Sequence, residues 1–592
     1  MAHNFHIPVL GLGFSIDTPL KVARYGISSV VSIVDDELTE RMRAYHAKEN
    51  NLNYSPITKK EEDYRAKRIT AYLSLLNDLV SKQFEALQKL PFEPGNELCK
   101  YFELLPEDSQ LKQGYDLMLI YPEGESKVIF QNILRSSMQK GTIDVNIMAK
   151  VDKMNFKDHV FTGQENTDAL AALRGFANSS LESSLILSAG MNPQLYSYIA
   201  NFPDFFPNED GVIKKKIILK VSDFRSAFIQ AKFLAKKGLW ISEFRIESGL
   251  NCGGHAFATE GFLLGPILEE FKQKRNLITE ELFASYRTIL ADKNIVVNTA
   301  PRQKVSVQGG IGTAKENEFL LSYYKVDATG WGSPFLLVPE VTNVDHDTLN
   351  QLTAATEEDY YLSNVSPLGI LFNNFKYSSI NNLKAERIAK GRPGSPCTKK
   401  YLVSNTEFTD EPICTASREY QNLKIKQLAA LNLSESAYQK QFDSITEKVC
   451  LCEGLCNASY IKYDILKPKE NKAVAICPGP NLAYFSKTYS LEEMAKHIYG
   501  KLDLLEKIKR PHFLIKELNL YIDYLQTEIQ NHLVDLNEKK KKSLANFKHQ
   551  LQEGINYYKD LYVQVATQTS FLKEMNYTDL LASEDKLKNT MI

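Results

Sequence analysis

Up to about residue 340 the chain alternates short apolar runs with longer amphipathic stretches. The runs are Ile7–Leu12, Ser29–Val34, Ile143–Met148, Ser184–Ala189, Lys216–Val221, Glu243–Glu247, Val305–Gln308 and Asp327–Trp331. They are continuous and β-branched more than strictly alternating, the pattern of parallel strands covered on both faces. Helix-like segments follow several of them, at Thr18–Tyr25, Pro193–Ala200, Asp223–Lys237 and Ala314–Tyr324. Eight strand-then-helix units predict an α/β fold, a (β/α)8 TIM barrel.

One interval breaks the rhythm. Asp35 to Lys140 is charged and helical in pattern, notably over Glu61–Leu90. It reads as a helical insertion of about residues 36–126, with the second barrel helix near Lys127–Gln139. Ile267–Arg275 and Glu280–Leu290 also carry helical periodicity. Beyond Pro339 the pattern changes. Asn343–Cys414 is rich in Asn, Ser, Thr, Pro and Tyr, and residues 341–489 are expected to form an irregular, cysteine-containing accessory region. Residues 490–592 predict a mainly α extension: a helix over Ser490–Ile508, then a helix pair over Leu514–Val565 broken near Asn537–Lys542. The organisation expected is therefore 1–340 barrel, 341–489 accessory region and 490–592 helical hairpin.

Composition narrows the function classes. At about 150 residues per domain, 592 residues suggest roughly four domains, and one large barrel lowers that number. Lys+Arg is 71 against Asp+Glu 72, a net charge of -1, which argues against binding nucleic acid or an acidic membrane by bulk charge. No apolar run reaches the ~18 residues of a membrane span. Met1-Ala2-His3-Asn4-Phe5-His6 lacks the basic-then-apolar order of a signal peptide, so a cytoplasmic protein acting on a small molecule is expected. The helix pair also suits homodimerisation.

The C-terminal ends of barrel strands carry the chemistry. The seventh run leads into Gln308-Gly309-Gly310-Ile311-Gly312-Thr313 and then a helix. The eighth leads into Gly330-Trp331-Gly332-Ser333-Pro334. Adjacent glycine loops with free backbone N–H groups form a phosphate cradle, and glycine lets the backbone approach the phosphate. Two ordinary glycine turns are the alternative. The sixth run leads into Asn251-Cys252-Gly253-Gly254-His255, where His255 can donate a hydrogen bond or shuttle a proton. Lys150 and Lys220 are candidate cations beside an anionic ligand. Lys220 alternatively pairs with Asp223 or Glu247 to offset its cost in an apolar strand.

Gly253-Gly254-His255, Gly309-Gly310-Ile311-Gly312 and Gly330-Trp331-Gly332-Ser333-Pro334-Phe335 together resemble the nitronate monooxygenase and FMN-dependent enoyl-acyl-carrier-protein reductase family. Asp144-Val145-Asn146-Ile147 is similar to that family's third strand, with Asn146 in its Val-Asn pair. The resemblance spans about residues 5–340. It implies an FMN-dependent oxidoreductase acting on a nitronate, an enoyl compound or a similar conjugated substrate. His255 would be the active-site histidine, and the two glycine loops would hold the FMN phosphate, with Gly332-Ser333 in the place of the family's Gly-Thr. Where the family has Pro-Met facing the flavin, this chain has Gly11-Leu12-Gly13-Phe14, which puts Gly11 and Gly13 there. Two other readings stay open: a barrel enzyme for a phosphorylated substrate without flavin, and a non-catalytic barrel whose C-terminal helices bind a partner.

The last third holds Cys397, Cys414, Cys450, Cys452, Cys456 and Cys477. Such clustering in a reducing compartment suggests zinc or an iron–sulfur cluster, with buried reduced thiols as the alternative. Cys477-Pro478-Gly479-Pro480-Asn481 is a rigid turn suited to packing against the barrel mouth.

Overall fold

The structure is a computed structural model, and it describes residues 2–148, 152–188, 190–251, 260–532, 537–565 and 575–591. Eight parallel strands close into a barrel: β1 (Phe5–Ile7), β2 (Ser28–Ser32), β3 (Ile143–Ile147), β4 (Ser184–Leu187), β5 (Lys216–Val221), β6 (Ile241–Glu247), β7 (Lys304–Gln308) and β8 (Ala328–Gly330). Each pairs with its sequence neighbour, and β1 pairs with β8 to close the ring. All eight apolar runs thus supply a strand. β1 shares only Ile7 with its run: it begins at Phe5 and ends at Ile7, where Pro8 has no N–H to donate to a ladder.

The barrel interior has two characters. Val30, Ile186 and Ile218 form an apolar cluster with Val9. Opposite them, Arg245 is 2% exposed and pairs with Glu243 at 2.7 Å and Asp144 at 3.8 Å. Burial raises the Glu243 pKa, but Arg245, His6 and the Ser306 hydroxyl outweigh it and hold Glu243 below the usual range. Asp144 stays above its ordinary value, because burial there exceeds the pull of Arg245.

The helical layer departs from the expected order at two places. The helix after β2 that packs between Thr18–Val22 and Asp168–Ala177 is Tyr64–Gln88. It buries Ile69, Tyr72, Leu73, Leu76 and Val80. Glu125–Ser137 does form a helix where one was expected, but it buries only Leu134 and exposes Val128, Ile129 and Ile133, so it is no part of that layer. Directly after β8 the chain makes the short helix Ser333–Leu337, and helix His346–Ala354 packs on it. Helix Leu491–Ile498, from far downstream, packs on Ala314–Ser322 instead, and Tyr499 at its end meets His3 and Phe5 beside β1. That helix stops short of the expected Ile508 because Gly500 turns the chain at φ +73°. The two helical stretches after β6 join into one helix, Leu264–Asp292. The predicted pair appears as Phe513–His532 and Glu538–Val565, and a third helix, Tyr577–Lys588, packs on both.

The region after Pro339 lies across the C-terminal rim of the barrel and is pinned there by buried charges. Asp35, just beyond β2, receives hydrogen bonds from the Lys399 ammonium, the Cys456 thiol and Leu38 N–H. Asp36 takes Arg65 at 2.9 Å, Arg68 at 2.8 Å and Tyr401 OH at 2.9 Å. Burial alone would raise the Asp35 pKa; the charge and hydrogen bond of Lys399 overcome it and lower it. No helix is long and apolar enough to cross a membrane among the described residues.

Asp35→Asn leaves a buried ammonium without its counter-charge and is expected to cost roughly 3 kcal/mol in chemical denaturation. Because the Asp35 carboxyl is lowered in the folded state, its stabilisation is full well above pH ~4 and drains as pH falls through the folded value. An acid titration followed by limited proteolysis should therefore release the region after residue 340 below pH ~4, and earlier than that in the variant.

Candidate functional site

Inward-facing positions at the upper ends of the strands form a polar floor. Lys220 Nζ lies 2.9 Å from Glu247 Oε1, and the same oxygen accepts from Asn251 Nδ2 (2.6 Å) and Gln308 Nε2 (2.7 Å). Of the two partners weighed for Lys220, Glu247 is the one it has. Asp223 instead accepts from Ser226 N–H and caps helix Phe224–Ala235. Gln308 Oε1 faces His6 Nε2 at 3.3 Å. Since Gln308 spends its amide N–H on Glu247, His6 must donate, which places its proton on Nε2. Burial pushes the His6 pKa down to about 3, so the ring is neutral. Asn146, half-buried at the top of β3, pairs in register with Ser32 and Ile186.

Beside this floor the two glycine loops enclose a niche of about 10 Å³, room for one water-sized group. It is lined by Gly309, Gly310, Ile311, Gly330, Gly332, Ser333 and Pro334, with Leu250, Asn251 and Asn481 closing the sides. Gly309 and Gly310 need glycine twice over. Their φ values are +110° and +78°, and a Cβ on Gly310 would lie 2.6 Å from Leu250 Cδ1. No N–H of Gly310, Ile311, Gly332 or Ser333 donates to a protein acceptor among the described residues. Buried N–H groups left so are an anion-binding arrangement. Among the described residues no acidic side chain lines the niche.

The helix after β7 takes no part in it. The N–H groups of Gly312 and Thr313 donate to the Glu316 carboxylate at 2.7 and 3.2 Å, in a capping box with Thr313. Glu316 also accepts from Arg510 Nη1 (2.5 Å) and Phe513 N–H (3.1 Å). Burial would raise its pKa, but the charges of Arg510 and His512 lower it. Arg510 completes its fork on Asn481 Oδ1 (2.8 Å) and Gly310 O, and packs on the Cα of Gly312. Gly312 thus faces Arg510 rather than the niche. Trp331 points into the helical layer, donating to Thr329 Oγ1 at 3.2 Å and meeting His497 edge-on.

The accessory region roofs the site. Gly479 N–H donates to Ser333 Oγ (2.8 Å), and Asn481 Nδ2 donates to Ile311 O (2.8 Å). The rigid turn at Cys477–Asn481 therefore packs against the barrel mouth. Asn373 Nδ2 reaches Asn251 O at 3.0 Å. Gly11 and Gly13 lie under helix Leu451–Lys462, where Gly13 N–H donates to Leu455 O at 2.8 Å. Lys150, Cys252, Gly253, Gly254 and His255 lie outside the described residues. The ends of the His255 loop are nevertheless held by one group: Glu517 accepts from Ser248 Oγ (2.7 Å), Gly249 N–H (3.1 Å) and Leu264 N–H (2.8 Å). Burial raises the Glu517 pKa.

The metal expectation finds no support. Among the described residues no group of three or more His, Cys, Asp or Glu is arranged to hold a metal ion. Cys397 contacts Cys414, Cys450 contacts Cys452, Cys456 bonds to Asp35, and Cys477 packs in an apolar cluster.

Sequence reasoning missed Glu316, Arg510 and Glu517. Thr313-Ala314-Lys315-Glu316 has capping-box spacing, a readable signal. The other two carry none, because their partners lie far away in sequence.

No protein-family model matches the chain, and no curated protein sequence matches it. Two solved structures are similar in part. One is the enoyl reductase domain of MlnA from the macrolactin biosynthesis cluster of Bacillus amyloliquefaciens, at 14% identity, covering 68% of this chain and 87% of that one, with a TM-score of 0.33. The other is a FabK mutant from Thermotoga maritima, at 10% identity, covering 67% and 83%, with a TM-score of 0.31.

Arg510→Met removes the counter-charge of buried Glu316 and is expected to cost about 3 kcal/mol. Amide exchange at Gly312 and Thr313, followed by mass spectrometry, should quicken more than exchange in β3 or β4. Equal change everywhere would show that Arg510 does not hold this loop.

Proposed function

We propose that the chain is a flavin-dependent oxidoreductase that holds the phosphate of FMN between its two glycine loops. The observation that carries this reading is the set of four N–H groups, from Gly310, Ile311, Gly332 and Ser333, that are unpaired among the described residues and belong to a niche with no acidic lining among them. These residues fit an anionic oxygen by charge and by size. The resemblance of the glycine loops to the FMN-dependent family supports flavin over a phosphorylated substrate.

FMN, when bound, supplies hydride or electron transfer. The residues of the chain bind and orient. Gly309 and Gly310 keep side chains away from the phosphate. Asn146, Lys220, Glu247, Asn251 and Gln308 form a floor of fixed donors and acceptors beside the niche, with Lys220 held by its ion pair. Neutral His6 orients Gln308 from below. Asn481 and Gly479 close the phosphate end against water. In this reading His255 is the proton donor or carbonyl binder for a small nitronate, enoyl or similar conjugated substrate.

The purified protein should be yellow, or become so on incubation with FMN, with flavin absorption bands. Gly332→Asp should abolish that uptake while circular dichroism stays unchanged, because φ at Gly332 is -102° and a side chain causes no left-handed strain there. A colourless wild type that takes up no FMN would refute the reading. His255→Ala should keep the flavin and slow substrate-dependent turnover at least tenfold; unchanged turnover removes His255 from the mechanism.

A further inference from the structure

Two thiols of the accessory region stand apart from the barrel chemistry. Cys397 and Cys414 are free and share one small apolar cluster with Val403 and Ala416. Backbone bonds bring their segments together on both sides. Ser395 N–H donates to Ala416 O (2.9 Å) and Arg418 N–H to Ser395 O (2.8 Å), while Asn405 and Ile413 exchange bonds of 3.0 and 2.8 Å. The Cys397 side chain packs against the cluster that holds Cys414.

The two thiols are not equivalent. Cys397 is partly exposed and Cys414 is buried. Cys397 has φ +54°, in a turn whose Lys400 lines the same cavity as both cysteines. An accessible thiol that can meet a substrate, beside a sheltered one that can resolve the adduct, is the arrangement of an exchanging dithiol.

The pair also has an entrance. A cavity of about 510 Å³ is lined by both cysteines and by Lys400, Arg418 and Glu419. Arg418 Nε is buried without a hydrogen-bond partner. The neighbouring thiols Cys450 and Cys452 are buried and do not line this cavity.

We propose that Cys397 and Cys414 form a thiol–disulfide exchange site that reduces small, carboxylate-bearing disulfides. The Cys397 thiolate attacks one sulfur of the substrate. The substrate S–S bond breaks, a mixed disulfide forms on Cys397, and the first thiolate leaves and takes a proton from water. Cys414 then gives its proton to water and attacks the Cys397 sulfur, and the second substrate thiol departs. The substrate gains two electrons and two protons, and the cysteine pair loses them. Lys400 and Arg418 receive the substrate carboxylate.

The test uses the full chain with oxidised glutathione as the probe. The wild type should lose two hydrogens in intact mass, with a cross-link mapped between Cys397 and Cys414. Cys414→Ser should stop at a glutathione adduct on Cys397, and Cys397→Ser should form neither product. An adduct carried mainly by another cysteine, or zinc or iron held stoichiometrically by these thiols in the purified protein, would overturn the proposal. If a serine variant fails to fold, the cross-link map of the wild type decides alone. Flavin absorption, recorded on the same samples, tests the barrel reading separately, since neither thiol lines its niche.

Discussion

Glu316 and Arg510 are the pair on which the shape of the site depends. A carboxylate buried at the start of the helix after β7 must find donors for both oxygens or lose its charge. Glu316 takes two N–H groups from its own loop and two donors from the far end of the chain. That arrangement ties the N–H groups of Gly312 and Thr313 to Glu316. Among the described residues it is the N–H groups of Gly310 and Ile311, rather than those of the helix, that are left unpaired beside the niche. Arg510 then reaches Gly310 O and Asn481 and carries the same constraint into the roof.

This logic recurs around the rim. Asp35 waits for Lys399, Asp36 for Tyr401, and Glu517 collects both ends of the loop after β6. Each rim acid is satisfied by a donor on another element, often one that arrives hundreds of residues later. The barrel strands supply the floor, and the region after residue 340 supplies the roof. The two are joined by buried, hydrogen-bonded charges where a purely apolar joint would have served for stability alone. Apolar contact is present as well, since Leu482, Phe485, Phe513 and Leu514 belong to the main core with the barrel residues.

Much of the barrel was legible. Val305–Gln308 and Lys216–Val221 read as buried strands because parallel strands are apolar on both faces, and they are strands. The glycine loops were legible because left-handed backbone at Gly309 and Gly310 excludes other residues. The helical layer was less so. Glu125–Ser137 and Tyr64–Gln88 both have helical periodicity, and periodicity does not say which apolar stripe finds a surface to cover. The helix Leu491–Ile498 could not be assigned to the barrel from its sequence, since its neighbour Ala314–Ser322 lies so far upstream. The cysteine spacing suggested a metal, whereas among the described residues no three potential ligands are arranged to hold one.

By itself, then, the sequence determined the local things: which segments extend, which coil, and where the backbone must be glycine. Periodicity and steric exclusion act over a few residues, so they can be read from a few residues. Tertiary structure alone decided which charges neutralise one another, which helix fills each place around the barrel and what roofs its mouth. Those choices depend on contacts such as Arg510 with Glu316 and Lys399 with Asp35. Burial turns each from a weak surface attraction into a condition of folding, and burial exists only once the chain has closed upon itself.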